Sequence, residues 1–404
     1  MTQYEGGDSE VSLADSALPA KVDELAVPLP LDTIRPWHKP RKQYIRERQW
    51  KYYTEHLIQA LKNRHAFNVG ETLNYLSLPG IDYFDVEVLA KVAIDANLKL
   101  ETLGFLAEAE KKPVSARALV REDSLIKKGL IGDKSATVPY RIQDIVNENG
   151  QAYREVLERA PFHIINIDAC GSIAPPSTGQ SNRIITALHQ LVGLQLNLMR
   201  NPWLLFVTTN VQPDNLNCQV RSQLEEVIKN NADDSEDFRR AAINCLGGAN
   251  SSDLEDAIKY ARNSLKFHSL FSLGFSKWLL RNAKCVDWDV KCLQFYGYST
   301  LSDTKHISMP CLAYEFMPRP VGYTDRAEIV ESPTTGPAVG TDYSMRAITR
   351  TQEMENIDLL FTQDPAMRTE YAKKQRDLLE NAGYQAAALK EFASEYINTA
   401  PSTE

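Results

Sequence analysis

The sequence predicts an α/β protein built on one doubly wound, mostly parallel sheet of seven strands, with helical extensions at both ends. Three observations carry this expectation. From about Thr72 to Pro320, short apolar runs alternate with helical patterns, which is the rhythm of βαβ units. The strongest runs, His163–Ile167 and Trp203–Thr208, are continuously apolar, as strands covered by helices on both faces must be. A chain of 404 residues with 43% hydrophobic and 24% charged content is long enough for one enlarged domain or two smaller ones.

Taken in order, residues 1–33 carry Gly, Ser, Asp and Pro with little periodicity and read as a disordered tail. Residues 34–70 read as a basic, aromatic helical segment. Pro36 and Pro40 keep its start extended, and a helix follows from about Arg41 to Lys62 with Trp50, Tyr53, Leu57, Ile58 and Leu61 on one face. The sheet domain spans 71–320. Its expected strands are Thr72–Leu78, Leu100–Ala107, Thr137–Ile142, His163–Ile167 and Trp203–Thr208. Between them come helices at Tyr83–Asn97, Ser115–Lys128, Gln151–Arg159 and Asn182–Met199. The polar, acidic stretch 210–250 reads as an insertion of loop and short helices. A capping box of Ser252 and Glu255 opens one long helix to about Lys284, striped by Leu254, Ile258, Ala261, Leu265, Phe271, Phe275 and Trp278. Two final strands, Trp288–Tyr298 and Ser308–Met317, form an antiparallel pair. Residues 321–404 comprise a loop-like stretch to 350 and a charged helix over about Pro365–Ile397.

The net charge of −8 argues against coating nucleic acid through bulk charge, because phosphates want a positive surface. The six cysteines lack C-x-x-C pairs or zinc-like spacing, and no apolar leader opens the chain, so free thiols in a reducing cytoplasm are expected. No run approaches the roughly 20 apolar residues of a membrane span. There is no Walker loop, H-E-x-x-H, G-x-S-x-G or G-x-G-x-x-G, and the histidines lack metal-ligand spacing, so no metal is expected.

Five strand–helix units, a long helix and a terminal strand pair resemble the order of class I S-adenosylmethionine-dependent methyltransferases, over roughly Thr72–Pro320. In that family a glycine-rich turn after the first strand approaches the methionine part of the cofactor. Here the corresponding segment is "LNYLSLPGIDYFD", with Gly80 as its only glycine, and the resemblance places Leu78, Pro79, Gly80 and Asp82 at S-adenosylmethionine. It implies Glu108, with Glu110 as near neighbour, for the ribose hydroxyls, and Asp144 for the adenine side. Asp168, in "INIDACGS", ends the fourth strand where open α/β sheets place their ligands, and is the candidate catalytic residue. Each has a structural alternative: Gly80 as a turn glycine, the glutamates as solvated loop charges, Asp144 as a helix cap. Cys170 reads as a small packed residue rather than a nucleophile. The residues after Asp168 are Ala169, Cys170 and Gly171, not the prolines and aromatic residue of enzymes that methylate base amino groups.

Arg35, Trp37, His38, Lys39, Arg41 and Lys42 open a basic aromatic cluster, continued by Tyr44, Arg46, Arg48, Trp50 and Lys51, that could grip phosphates while stacking bases. The alternative is a helix whose aromatics dock on the sheet domain. The leading reading is therefore a methyltransferase-like protein with a nucleic acid or other anionic partner at 35–51. A binding module without catalysis, in a multiprotein and possibly phage-defence assembly, is the second; it would use the C-terminal helix as a protein-binding surface. A phosphoribosyltransferase-like enzyme, suggested by "INIDACGSIAPPSTGQS", is the third.

Overall fold

The computed structural model describes residues 33–398, apart from 68–69, 107–111, 177–178, 180–182, 248–250, 252, 302 and 320–342. The expected tail up to 32, Glu108, Glu110, Ser252 and most of the 321–350 stretch lie outside the described residues.

One sheet organises the chain. Strands β1 (Thr72–Ser77), β2 (Lys99–Phe105), β3 (Ala136–Val138), β4 (Ile164–Asp168) and β5 (Trp203–Thr208) run parallel in the order β3-β2-β1-β4-β5. Strand β8 (Met309–Pro318) joins β5 antiparallel, and its other edge carries β6 (Trp288–Cys292) and β7 (Tyr296–Tyr298). A two-residue strand, β9 (Glu355–Asn356), pairs with β7, so the described sheet has nine strands rather than seven. The two halves of the expected 288–298 strand part at residues 293–295, where the N-terminal helix satisfies the freed backbone. The Gln294 N–H donates to the Tyr53 hydroxyl (2.9 Å), and the Gln294 carbonyl accepts from Gln49 Nε2 (2.9 Å).

Helices α3 (Phe84–Asp95), α4 (Lys112–Lys127), α5 (Gln151–Arg159) and α6 (Ile184–Leu198) make the crossovers where the periodicity put them. The N-terminal helix is continuous over residues 40–63, with a π-helical turn (Arg46–Lys51) between α1 (Pro40–Ile45) and α2 (Tyr52–Asn63). Lys42, Arg46, Gln49 and Trp50, at i, i+4, i+7 and i+8, share one helix face and are all buried. The 210–250 stretch is more regular than its composition suggests. It forms α7 (Cys218–Asp234), capped by Asn217, and α8 (Glu236–Leu246), capped by Ser235. Val220, Leu224 and Ile228 recur at four-residue spacing and pack into the core, while buried Glu225 is compensated by Arg262.

The expected long helix after 252 is two helices, α9 (Leu254–Arg262) and α10 (Phe267–Lys284). Asp253 caps the first by accepting the Asp256 N–H at 2.9 Å. The break falls where Ser264 Oγ accepts the Lys266 N–H, a local bond that competes with the helix, and Leu265 is left exposed. Residues 343–350, expected as loop, belong to α11 (Tyr343–Gln352). A short helix, α12 (Ile357–Gln363), precedes the expected closing helix, which is divided into α13 (Pro365–Asn381) and α14 (Ala386–Tyr396), joined through Gly383 at φ +85°. This hairpin buries Leu378, Leu379, Leu389 and Phe392 against Phe84 and Val88 of α3.

Gly104 in β2 is a point of close approach: a Cβ there would stand 2.9 Å from Pro79 Cγ and from Thr137 Oγ1. Because the proline ring cannot rotate away, Gly104→Ala is expected to destabilise the chain by about 1–3 kcal/mol. Urea unfolding checks this, and an unchanged midpoint would mean that the Pro79 loop yields freely.

Candidate active site

The strand order reverses between β1 and β4, which puts the ligand crevice of doubly wound sheets between their carboxyl ends; here His38, Lys42 and Arg46 fill it. Three carboxylates converge there. Asp82 lies in the loop after β1, Asp85 in the first turn of α3, and Asp168 at the end of β4. The loop is conformationally costly. Gly80 sits at φ +61° and Tyr83 at φ +57°, a left-handed conformation unfavourable for a bulky side chain. Tyr83 is held there by its hydroxyl, which meets Glu122 (3.1 Å) and Thr137.

Each carboxylate has its own compensation. Asp82 accepts from His38 Nε2 (2.9 Å), the Tyr384 hydroxyl (3.2 Å) and Arg117. Burial alone would raise its pKa, but the His38 hydrogen bond and the charge of Arg117 hold it below the usual carboxylate range. His38, fully buried, accepts the Arg35 N–H through Nδ1 at 2.9 Å, so its proton sits on Nε2 and the ring is neutral. Burial lowers the His38 pKa despite Asp82. Asp85 accepts from the Tyr75 hydroxyl (2.7 Å), which itself accepts from Asn166 Nδ2 (3.0 Å); burial raises the Asp85 pKa.

Asp168 receives Lys42 Nζ at 2.5 Å. The Lys42 side chain is 5% exposed and that of Asp168 21%. Burial would discharge the amine, but the neighbouring Asp168 charge outweighs it and keeps Lys42 protonated, its pKa above the ordinary lysine value. Arg46 completes the set. Its guanidinium donates to Gln375 Oε1 (2.8 Å) and the Trp37 carbonyl (3.3 Å), lies over the Phe84 ring, and feels Asp85, Asp168 and Asp82.

Of the sequence-derived candidates, Asp82, His38, Lys42 and Asp168 come together here, with Leu78, Pro79 and Gly80 in the adjoining loop. Asp144 does not join them: it is exposed and accepts the Arg141 N–H (2.8 Å), closing the short 3-10 helix Ile142–Val146. Glu108 lies outside the described residues, and Cys170 is exposed. The basic segment is divided. Arg41 pairs with Asp358 (3.1 Å) and stacks on Tyr298, while Arg35, Lys39 and, in part, Trp37 face outward. Arg35 and Lys39 line a cleft of about 420 Å³ with Glu391 and Glu395. Arg117, Gln375 and Tyr384 were invisible to sequence reasoning, since they arrive from α4, α13 and the α13–α14 turn with no local motif to mark them. Among the described residues no His/Cys/Asp/Glu group could hold a metal, and no helix is long and apolar enough to cross a membrane.

A doubly wound sheet ordered β3-β2-β1-β4-β5, extended by an antiparallel pair and carrying its polar site at the β1–β4 reversal, defines a divergent class I methyltransferase-like fold. Residues 32–394 match the family model described as PP_RS20740-like, and the chain belongs to that family. Among solved structures it is similar to PH0793 of Pyrococcus horikoshii, a candidate transferase, at 9% identity over 65% of this chain and 64% of that one (TM-score 0.27). The match thus spans just under two thirds of that protein. It is also similar to lmo1582 of Listeria monocytogenes, a candidate class I S-adenosylmethionine-dependent methyltransferase (10% identity, 79% and 73% coverage, TM-score 0.33). A third is the plantazolicin methyltransferase BpumL, solved with SAH and a triazolic desmethylPZN analog (12% identity, 69% and 89% coverage, TM-score 0.30). No curated protein matches the chain.

Two outcomes follow from this geometry. Between pH 6.5, where an unfolded histidine titrates, and the lower pKa of folded His38, only the unfolded chain takes up the proton. Stability is therefore lost as pH falls through that window, by at most about 1.4 kcal/mol per pH unit. His163, held at about 4 by burial, adds to the same slope. The difference in Tm between wild type and His38→Gln, followed from pH 7.5 to 5, isolates the His38 share and is expected to shrink on acidification. Asp168→Asn leaves the Lys42 ammonium buried without its counter-charge and is expected to cost about 3 kcal/mol in denaturant unfolding.

Proposed function

We propose that this protein binds S-adenosylmethionine at the β1–β4 reversal and transfers its methyl group, with Asp168 orienting the acceptor. The observation that carries the reading is the convergence of Asp82, Asp85 and Asp168 on the one crevice where a doubly wound sheet holds its ligands. The residues fit such a cofactor, which brings an ammonium, a carboxylate and hydroxyls. Asn166 Oδ1 and Gln375 Nε2 are buried polar atoms without a protein partner, one an acceptor and the other a donor. The Leu78–Asp82 loop, with no Cβ on Gly80, would receive the methionine end, while Glu108 is the sequence-derived candidate for the ribose hydroxyls. When bound, the cofactor would supply an electrophilic methyl group on a sulfonium. Positioning donor and acceptor is most of what methyl transfer requires, which suits a site with few reactive side chains.

The acceptor's partner surface, on this reading, is the outward part of the N-terminal segment. Arg35, Trp37 and Lys39 would meet an anionic macromolecule, nucleic acid among the candidates, and the outer face of α14 would serve a protein partner. A second reading has its own support. The donors already filling Asp82 and Asp168 are the chain's own, as in a sheet domain that binds partners without catalysis.

Calorimetric titration with S-adenosylmethionine and S-adenosylhomocysteine separates the two. Micromolar binding to wild type, lost in Gly80→Leu, is the expected result. No heat and no thermal shift at millimolar ligand would favour the non-catalytic reading.

A further inference from the structure

Lys42 is housed more closely than an ordinary ion pair requires. Its ammonium touches Asp168 on one side and stands 5.5 Å from the Trp50 ring centre and 5.6 Å from that of Tyr298. Two aromatic faces and a carboxylate are the chemistry by which proteins hold alkylammonium ions. Stability does not explain the choice of residue, because a buried ion pair is on average no better than an apolar side chain of similar volume. The position is also specific. Asp168 ends β4 beside the crevice and keeps part of its carboxylate in reach of solvent, whereas Lys42 arrives from a helix outside the sheet.

We propose that Asp168, Trp50 and Tyr298 form a recognition site for a primary alkylammonium group, and that Lys42 occupies it as an internal stand-in for that ligand. The inference rests on the proposed role of Asp168 at the acceptor and names the acceptor's chemical class: an amine, carried by a lysine side chain or by a small molecule. Access to it requires Lys42 to withdraw.

The test removes the stand-in from the full-length chain. Thermal unfolding of Lys42→Ala is followed with butylammonium chloride, with N-acetyl-lysine methylamide, and with butanol plus matched sodium chloride. Butylammonium is expected to raise the variant's Tm saturably, by about 2 °C or more. Wild type and Lys42→Met, whose cages are filled, are expected not to respond. Protection by the lysine derivative as well identifies a lysine side chain as the source; protection by butylammonium alone identifies a small amine. Should Lys42→Ala not fold unaided, refolding yield in the same ligands gives the same readout. Equal effects of butanol and butylammonium, no effect of either, or an undiminished response in Lys42→Ala/Asp168→Asn would overturn the proposal. The S-adenosylmethionine titration is independent. Cofactor binding without an amine response sinks this inference alone, and an amine response without cofactor binding keeps the cage and removes the methyl donor.

Discussion

Three carboxylates held at the turning point of one sheet set the terms for the rest of the chain. A carboxylate removed from water needs a counter-charge or several donors close by, since leaving one uncompensated costs several kcal/mol. The sheet itself supplies little: Tyr75 reaches Asp85, and Asn166 reaches only Tyr75. Everything else comes from outside it. His38, Lys42 and Arg46 come from the N-terminal segment, Arg117 from α4, and Tyr384 and Gln375 from the C-terminal hairpin. The two ends of the chain therefore close over the crevice because the charges beneath them require it, and the apolar contacts of Tyr44 with Tyr296, Phe361 and Tyr371 secure that closure.

This arrangement changes the meaning of the basic N-terminal cluster. In sequence its density suggests a surface for an anionic partner. In the fold, part of that charge is consumed internally, Lys42 by Asp168 and Arg41 by Asp358. What remains outward is Arg48 and Lys51 on the helix and a short patch beside α14, where Glu391 and Glu395 line a cleft with Arg35 and Lys39. The same economy applies to the C-terminal hairpin, whose apolar residues are spent on α3 and leave a polar outer face.

The N-terminal helix ties the site to the far edge of the sheet. Lys42, Arg46, Gln49 and Trp50 stand at i, i+4, i+7 and i+8, the spacing that puts side chains on one face of a helix, and all four are buried. Gln49 holds the carbonyls of Gln294 and Cys311, and the Tyr53 hydroxyl accepts the Gln294 N–H, so backbone is satisfied where β6 and β7 part.

By itself the sequence determined the parallel sheet, its helical crossovers, the antiparallel closing strands and the position of Asp168, because these follow from local periodicity and from where an apolar run ends. It also marked the Leu78–Asp82 turn through Gly80 and Pro79. Tertiary structure alone decided which charges meet. The partnership of Lys42 with Asp168 spans 126 residues, and that of Tyr384 with Asp82 spans 302. The breaks within the long helices, the inward turn of His38 and Arg46, and the regular packing of α7 and α8 belong to the same class. Burial gives no local signal when polar residues are drawn inward by distant counter-charges, since the free energy that places them is that of the assembled pair and neither segment carries it alone.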